Sequence, residues 1–394
     1  ANLHAHCDAS DGDPTLDEMV EEYYKADYDI LAMTDHGVIT NGWTSERETN
    51  GIFNKFRKVY PMSEENYERI TKGLDRGGRG MTDIRGGIEC NMAVISKTHV
   101  NGYFTTYGQG EWGIENDYRT APVEIEKAGG YSVLNHVGDW VDSGRFPHRS
   151  HWNVYIAYFA GIFIDCPSCL GMEIVNNTDR VTRGDRELWD ELLQVVIPKG
   201  RNIWAFADDD SEKLNEVGRS FEFFVLPENN EANVKKAMKD GNFFAASKYY
   251  KTTDGVGDFD GDGNVPLVTG IKVDQKANTI TVATDPTRDC RVIEWIADGK
   301  VIATGNTIDL NDYEKDLGCY IRFQMKGSGG VTYSQPFELQ YKGRIDKPVP
   351  SWALWVFKTE AGQKFMKFYH SHSFALGALI AEKIRILIED NIKK

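Results

Sequence analysis

Long apolar runs are missing from this chain of 394 residues. The longest candidate, 374–381, falls well short of the roughly 18 residues that a membrane span requires, so no transmembrane segment is expected. Positive charge is also short: 45 Lys and Arg face 60 Asp and Glu, a formal net charge of −15. Such acidity repels a phosphate backbone at long range and argues against extended nucleic acid as a partner, while leaving room for a locally basic pocket. Cysteines are few, six in all. Cys166-Pro167-Ser168-Cys169 is a lone CxxC pair, a weak sign of zinc or redox chemistry, and reads as plain thiols. Cys7 and Cys90 alternate with their strand neighbours and are expected to point into the core. Cys290 and Cys319 can bridge two strands of a later domain in an oxidising compartment. What the chain does have is 41% hydrophobic and 12% aromatic residues, enough for a large core and more than one domain. It opens on Ala1, as after removal of a signal peptide or tag, and the localisation expected on that ground is exported, periplasmic or extracellular.

Residues 1–247 alternate strand-like apolar stretches with amphipathic helices, an α/β pattern. In 15–26 a cap at Thr15 or Asp13 precedes Leu16, Met19, Val20, Tyr23 and Tyr24 at helical spacing. The buried strand 29–34 then delivers Asp35 and His36 at its C-terminal end, where α/β barrels and open sheets place their chemistry. The stretches 87–90, 131–136, 171–176 and 202–208 repeat this form, each an apolar strand ending in a polar residue able to bind metal or substrate. Residues 248–266 form a Gly- and Asp-rich linker, and 267–342 carry short alternating strands of the kind that make a small β-sandwich. Residues 343–394 form an extension whose amphipathic helix, with Ile380, Ile384, Leu387 and Ile388 on one face, is expected to dock on another domain or a second subunit.

The chemistry-bearing residues gather early. His4, His6, Asp11, Asp35, His36, Glu89, His99 and His136 fall within the first 140 positions, and imidazole and carboxylate are the donors that zinc, manganese and iron prefer. A His-x-His pair on a strand turns both rings to one face. Clustered divalent ions lower the pKa of a bound water and hold both oxygens of a phosphoryl transfer.

In order and local context, His4-Ala5-His6 with Ser10-Asp11-Gly12, Thr34-Asp35-His36-Gly37, Gly87-Ile88-Glu89, His99-Val100-Asn101-Gly102-Tyr103 and Asn135-His136 resemble the PHP family of polymerase and histidinol phosphatase domains. The resemblance covers 1–247. It implies a distorted (β/α)7 barrel, followed here by an immunoglobulin-like β-sandwich and a C-terminal helix, with two or three divalent ions (Mn, Fe or Zn) at the barrel's C-terminal rim. It also implies that His4 and His6 serve a first metal, with Glu89 bridging it to another. His36 with Asp11 would serve a second, and His99 and His136 with Glu89 a third. The family's last motif, usually Asp-x-His, falls at 206–212, where one register makes Asp210 the ligand and a shifted one Asp208; Glu212 stands where His is expected. A carboxylate there would favour manganese or iron over zinc, or leave that site weakly occupied.

Asp35 and Arg219 are candidate catalytic residues, Arg219 as a holder of phosphate. Residues 41–85, with Arg47, Arg57, Arg76, Arg79 and Arg85, read either as a lid that grips an anionic substrate or as a surface excursion. The stretch 139–158, with Arg145, His148, Arg149 and His151, can form the opposite wall. Asp258, Asp260 and Asp262 look like the start of a calcium loop, but Thr269 stands where the closing Glu belongs, which favours a linker. His370 and His372 would diverge on a helix. The function expected is a metal-dependent phosphoesterase acting on a small phosphorylated substrate. The alternative is a catalytically weak binding protein of the same fold that recognises a phosphorylated or carbohydrate ligand.

Overall fold

The computed structural model describes residues 1–49, 58–91, 97–111, 117–141 and 152–344, with 346, 359, 361 and 362. The C-terminal helix, the His370/His372 pair, Arg57, Arg145, His148, Arg149 and His151 lie outside them.

The first half follows the expected alternation. Helix α1 (Leu16–Lys25) starts where Thr15 accepts the Glu18 backbone N–H while Glu18 reaches back, a capping box, and it buries Leu16, Met19, Val20, Tyr23 and Tyr24. Strand β1 (Ile30–Ala32) pairs in parallel with β2 (Thr82–Ile84), with α2 (Glu64–Lys72) between them. A five-stranded sheet follows in the order β3 (Ile88–Cys90), β4 (Val100–Tyr103), β5 (Tyr131–Leu134), β6 (Cys169–Asn176), β7 (Trp204–Asp208). Helices α3 (Thr120–Lys127), α4 (Val137–Val141), α5 (Trp152–Asp165) and α6 (Asp185–Val196) connect its strands. Single bridges extend the pairing: Asn2 to Leu31, Ala5 to Ser211 and His36 to Glu89, all parallel. Pairing therefore passes from the N-terminal segment through β1 and its extension to β3, across to β7, and back to the N-terminal segment. Apart from β4, which runs antiparallel to β3 and β5 and brings His99 in from its N-terminal end, the strands of this circuit open their C-terminal ends on the same side, which is why His4, His6, His36, Glu89, His136 and Asp210 converge.

An antiparallel sheet, with α7 (Glu231–Asp240) between two of its strands, runs straight across the boundary expected at 247. Its order is β15 (Lys300–Thr304), β14 (Val292–Ala297), β17 (Tyr320–Gly327), β18 (Gly330–Tyr333), β9 (Phe243–Ser247), β8 (Ser220–Phe224). A short ladder of β10 (Tyr249–Tyr250) and β11 (Phe259–Asp260) sits beside it. The three-stranded sheet of β12 (Val268–Asp274), β13 (Thr279–Thr284) and β16 (Thr307–Asp309) lies opposite, and Ile280, Val282, Trp295, Ile308, Phe323 and Met325 fill one apolar cluster from both sheets. β19 (Phe337–Glu338) closes on β17. The two halves are tied polar to polar: the Arg322 guanidinium donates to both Asp190 oxygens at 2.7 and 2.6 Å, and Gln335 forms two bonds with the Ala205 backbone at 2.8 and 2.9 Å.

Two expectations are corrected here. All six cysteines are free: Cys319 belongs to the large core shared by both halves while Cys290 lies against the apolar cluster of the two later sheets, so no bridge joins them. The described arginines of 41–85 do not form a lid over the site. Arg76 and Arg79 pair with Asp27 and Asp29, just before β1 and so at the opposite end of that strand from His36, and Arg85 faces Glu231. Arg47 is buried against Asp35. In an acidic chain, nearby carboxylates claim them. The aspartates of 258–262 are likewise engaged: Asp258 accepts the Thr252 N–H at 2.7 Å, Asp262 accepts that of Asn264 at 2.9 Å, and Asp260 pairs with Lys251.

Candidate metal centre

Five imidazoles surround one buried carboxylate. Glu89 oxygens lie 3.3 Å from His4 Nε2, 3.3 Å from His6 Nε2, 3.0 Å from His36 Nδ1, 3.3 Å from His99 Nδ1 and 3.4 Å from His136 Nε2. Asp210 Oδ1 lies 3.1 Å from both His4 Nε2 and His6 Nε2, which are themselves 3.1 Å apart. Asp11 Oδ2 lies 3.3 Å from His36 Nε2. Three overlapping groups result: His4, His6, Glu89 and Asp210; His6, Asp11 and His36; His36, Glu89 and His99, with ligand atoms within 4.8 Å of one another in each. His136 joins none of the three groups and stands beside them through Glu89 and through ring contacts with His99 and His4.

The donor set fits divalent ions. Ligands about 2.1 Å from a common centre are separated by about 3.0–3.4 Å along octahedral or tetrahedral edges, the spacing seen around Glu89 and Asp210. The His36 Nδ1 atom is buried and has no aligned hydrogen-bond partner among the described residues despite its nearness to Glu89. Nitrogen and carboxylate lone pairs converge here instead of pairing donor to acceptor.

Neighbouring groups aim these ligands. Glu173 Oε1 lies 2.7 Å from His4 Nδ1, and since a carboxylate only accepts, Nδ1 carries the proton and Nε2 faces the cluster. Its other oxygen accepts the His136 N–H at 2.7 Å and an Asn176 amide N–H at 3.1 Å. Asn135 Nδ2 donates to Glu89 at 2.7 Å. His136, Asn177, Asp179 and Asp210 adopt φ of 29°, 51°, 58° and 47°, a left-handed backbone that costs about 1–3 kcal/mol per non-glycine residue and gathers at functional rims.

The electrostatics follow from this crowding. Burial pushes the Glu89 carboxyl up, but His36, His4, His99 and His136 outweigh it and hold it well below the ordinary range. Asp11 and Asp210 are held down against burial in the same way, by His36 and His6 and by His4 and His6 respectively. Burial lowers the imidazoles, yet the carboxylates raise His6 to about 10 and His136 to about 9, and raise His4 and His36 as well. For His99 burial wins and the pKa falls.

The other expected residues take different places. Asp208 is buried and accepts the Leu3 N–H at 2.6 Å, outside all three groups. Glu212 lines the mouth without joining a group. Asp35 is completely buried and does not line the cavity, so it is in no position to touch substrate. Arg219 is also absent from the cavity wall, donating to Asn177 Oδ1 at 2.6 Å and pairing with Glu216 at 3.2 Å. The cavity, about 400 Å³, is lined by Asp11, His36, Glu89, His99, His136, Asp139, Asn176, Asn177, Thr178, Arg180, Val181, Asp210 and Glu212. Sequence reasoning singled out neither Glu173 nor Arg180 as a site residue. The signal for Glu173 was available, since a lone charge amid the buried run Met172, Ile174 and Val175 requires a partner.

No family model matches the sequence, and no curated protein does. Among solved structures, the chain is similar to a two-domain protein from Bacteroides vulgatus described as containing a predicted PHP-like metal-dependent phosphoesterase. The identity is 14% and the TM-score 0.43, over 86% of this chain and 87% of that one. It is also similar to an amidohydrolase from Chromobacterium violaceum solved with bound sulfate and no metal, at 14% identity and TM-score 0.31 over 54% of this chain and 87% of that one. A third, assigned as a metal-dependent phosphoesterase, comes from Bifidobacterium adolescentis, at 12% identity and TM-score 0.30 over 54% and 87%.

Proposed function

We propose that this protein is a metal-dependent phosphoesterase acting on a small phosphoester at two or three divalent ions (Mn, Fe or Zn). The scaffold, on this reading, is a distorted (β/α)7 barrel joined to an immunoglobulin-like sandwich. The observation that carries it is the ring of His4, His6, His36, His99 and His136 around Glu89, with Asp11 and Asp210 at its edge. The bridges that return the strand circuit to the N-terminal segment support the barrel.

Bound ions supply water activation and positive charge for a phosphoryl transition state. His4, His6, Glu89 and Asp210 would hold one ion, and Asp11, His36, Glu89, His99 and His136 the rest. Glu173 keeps His4 in the Nδ1–H tautomer, and Asn135 fixes Glu89. Arg180 on the wall brings a guanidinium, whose fork matches phosphate oxygens. Arg219 steadies Asn177 and thereby the same wall. A cavity of about 400 Å³ suits a small substrate.

The alternative, ligand binding without turnover, draws on Glu212, which faces the cavity where the family pattern has His. The deciding experiment is hydrolysis of a panel of phosphomonoesters and phosphodiesters by metal-stripped protein reloaded with manganese, iron or zinc, beside His6→Ala. Turnover that returns with metal and is lost in the variant supports the phosphoesterase. Metal binding without turnover on any ester favours the binding protein.

A further inference from the structure

Asp35 is sealed from the cavity, yet its bonds lead into the metal centre. One oxygen, Oδ1, accepts the Cys7 backbone N–H and the Ser10 hydroxyl, both at 2.8 Å. The other, Oδ2, accepts the Cys7 thiol at 3.1 Å and faces Arg47 Nη1 at 3.4 Å. Arg47 is itself buried, with Nη1 3.0 Å from Cys7 Sγ and Nη2 donating to Tyr60 O at 3.3 Å. Ser10 Oγ also lies 3.3 Å from His6 Nδ1 and 3.1 Å from Asp11 Oδ1.

A hydroxyl has one proton and two lone pairs. The proton goes to a carboxylate, to Asp35 at 2.8 Å in preference to Asp11 at 3.1 Å, and with either as acceptor the Ser10 oxygen can only accept from His6. His6 Nδ1 must then be the donor, and its second neighbour agrees, since Asp11 Oδ1 at 3.5 Å is an acceptor too. The overlap between the first two groups is thereby resolved. With Nδ1 protonated, His6 offers only Nε2, the atom that faces Asp210, Glu89 and His4.

We propose that Asp35 and Ser10 form a positioning relay that fixes His6 as the Nδ1–H tautomer and commits its Nε2 to the group of His4, Glu89 and Asp210, with Arg47 locking Asp35 from outside. Carboxylate-to-histidine partners commonly orient metal ligands; here a serine stands between the two, and the loop that carries it also carries Asp11. The relay rests on the metal-centre reading and makes Asp35 a positioning residue instead of a catalytic one. Arg47 ties residues 41–49 to the same loop.

The test uses the full chain, stripped and titrated with zinc against a chromophoric chelator, as wild type, Ser10→Ala and His6→Ala, with histidine 15N spectra of the zinc-loaded wild type. Zinc is the probe because it is diamagnetic. The relay predicts a His6 ring ligated through Nε2 with a protonated Nδ1. It also predicts a 10- to 100-fold loss of affinity for one zinc in Ser10→Ala, with the stripped variant still folded and unfolding cooperatively. Wild-type affinity in Ser10→Ala, with His6→Ala impaired, overturns the relay and leaves the metal centre standing. A His6 ligated through Nδ1 overturns the relay even if Ser10→Ala fails to fold. Undiminished zinc binding in His6→Ala overturns the metal-centre reading itself.

Discussion

Two buried clusters of charge in this molecule are built on opposite rules. Where α6 meets β17, Asp190 receives two guanidinium bonds from Arg322 and a third, at 2.7 Å, from the Tyr320 hydroxyl. Nearly every lone pair there meets a proton. At the rim, Glu89 meets five imidazoles and Asp210 two, while His36 Nδ1 has no aligned partner among the described residues. The first cluster pairs both carboxylate oxygens with protons, leaving only a spare donor, Arg322 Nη1, without a partner among the described residues, and it joins the two halves. The second is acceptor facing acceptor, and buried groups arranged that way are satisfied only by protons or by added cations. Complementarity marks a structural cluster, and its absence marks one built to bind.

The comparison breaks most sharply at the rim. Glu89→Ala is expected to lower metal-dependent hydrolysis by about a thousandfold or more, since the ions supply several kcal/mol of transition-state stabilisation; steady-state rates on the best ester of the panel check this. The complementary cluster should fail differently. Asp190→Ala leaves a buried guanidinium unpaired and should cost about 3–5 kcal/mol in denaturant unfolding, with the rate per folded molecule unchanged. A matching loss in kcat would mean that the two clusters are not independent.

Protons sharpen the contrast. His6 and His136, raised to about 10 and 9, contribute stability to the stripped protein that is fully present below the ordinary imidazole pKa and is lost as pH rises through 9–10. Metal binding must displace those protons, so affinity should rise with pH. The gap in melting temperature between loaded and stripped protein should widen from pH 6 to pH 9; a gap that narrows refutes the picture. Removing the partner of a single ligand is milder. Glu173→Gln should weaken metal binding 10- to 100-fold, read by chelator competition. Smallest of all, Arg79→Ala, at a half-exposed pair with Asp29, should change stability by less than about 1 kcal/mol and leave turnover intact.

His4, His6, His36, Glu89 and His136 stood out in the sequence through their ordered motifs at strand ends, and strand ends of one circuit deliver their residues to one rim. What could not be read depends on which way a side chain leaves the backbone. Asp208 and Asp210 are two residues apart, and only the turn after β7, with Asp210 at φ 47°, separates a core carboxylate from one at the cluster. Arg76 and Arg79 looked free because their partners, Asp27 and Asp29, lie about 50 positions earlier. The interdomain sheet was hidden for a similar reason, since β9 and β18 come together across more than 80 residues of sequence.

That sheet has a consequence for how the chain is made. β9 lies between β8 and β18, so a growing chain that has completed the rim residues through Ser247 still presents the open edge of a strand, an invitation to pairing with other chains. The edge is capped only when Gly330–Tyr333 emerges. Every histidine and carboxylate of the rim is therefore synthesised well before the strand that protects the body carrying it, and an otherwise sensible truncation at the linker should aggregate rather than yield a free enzyme.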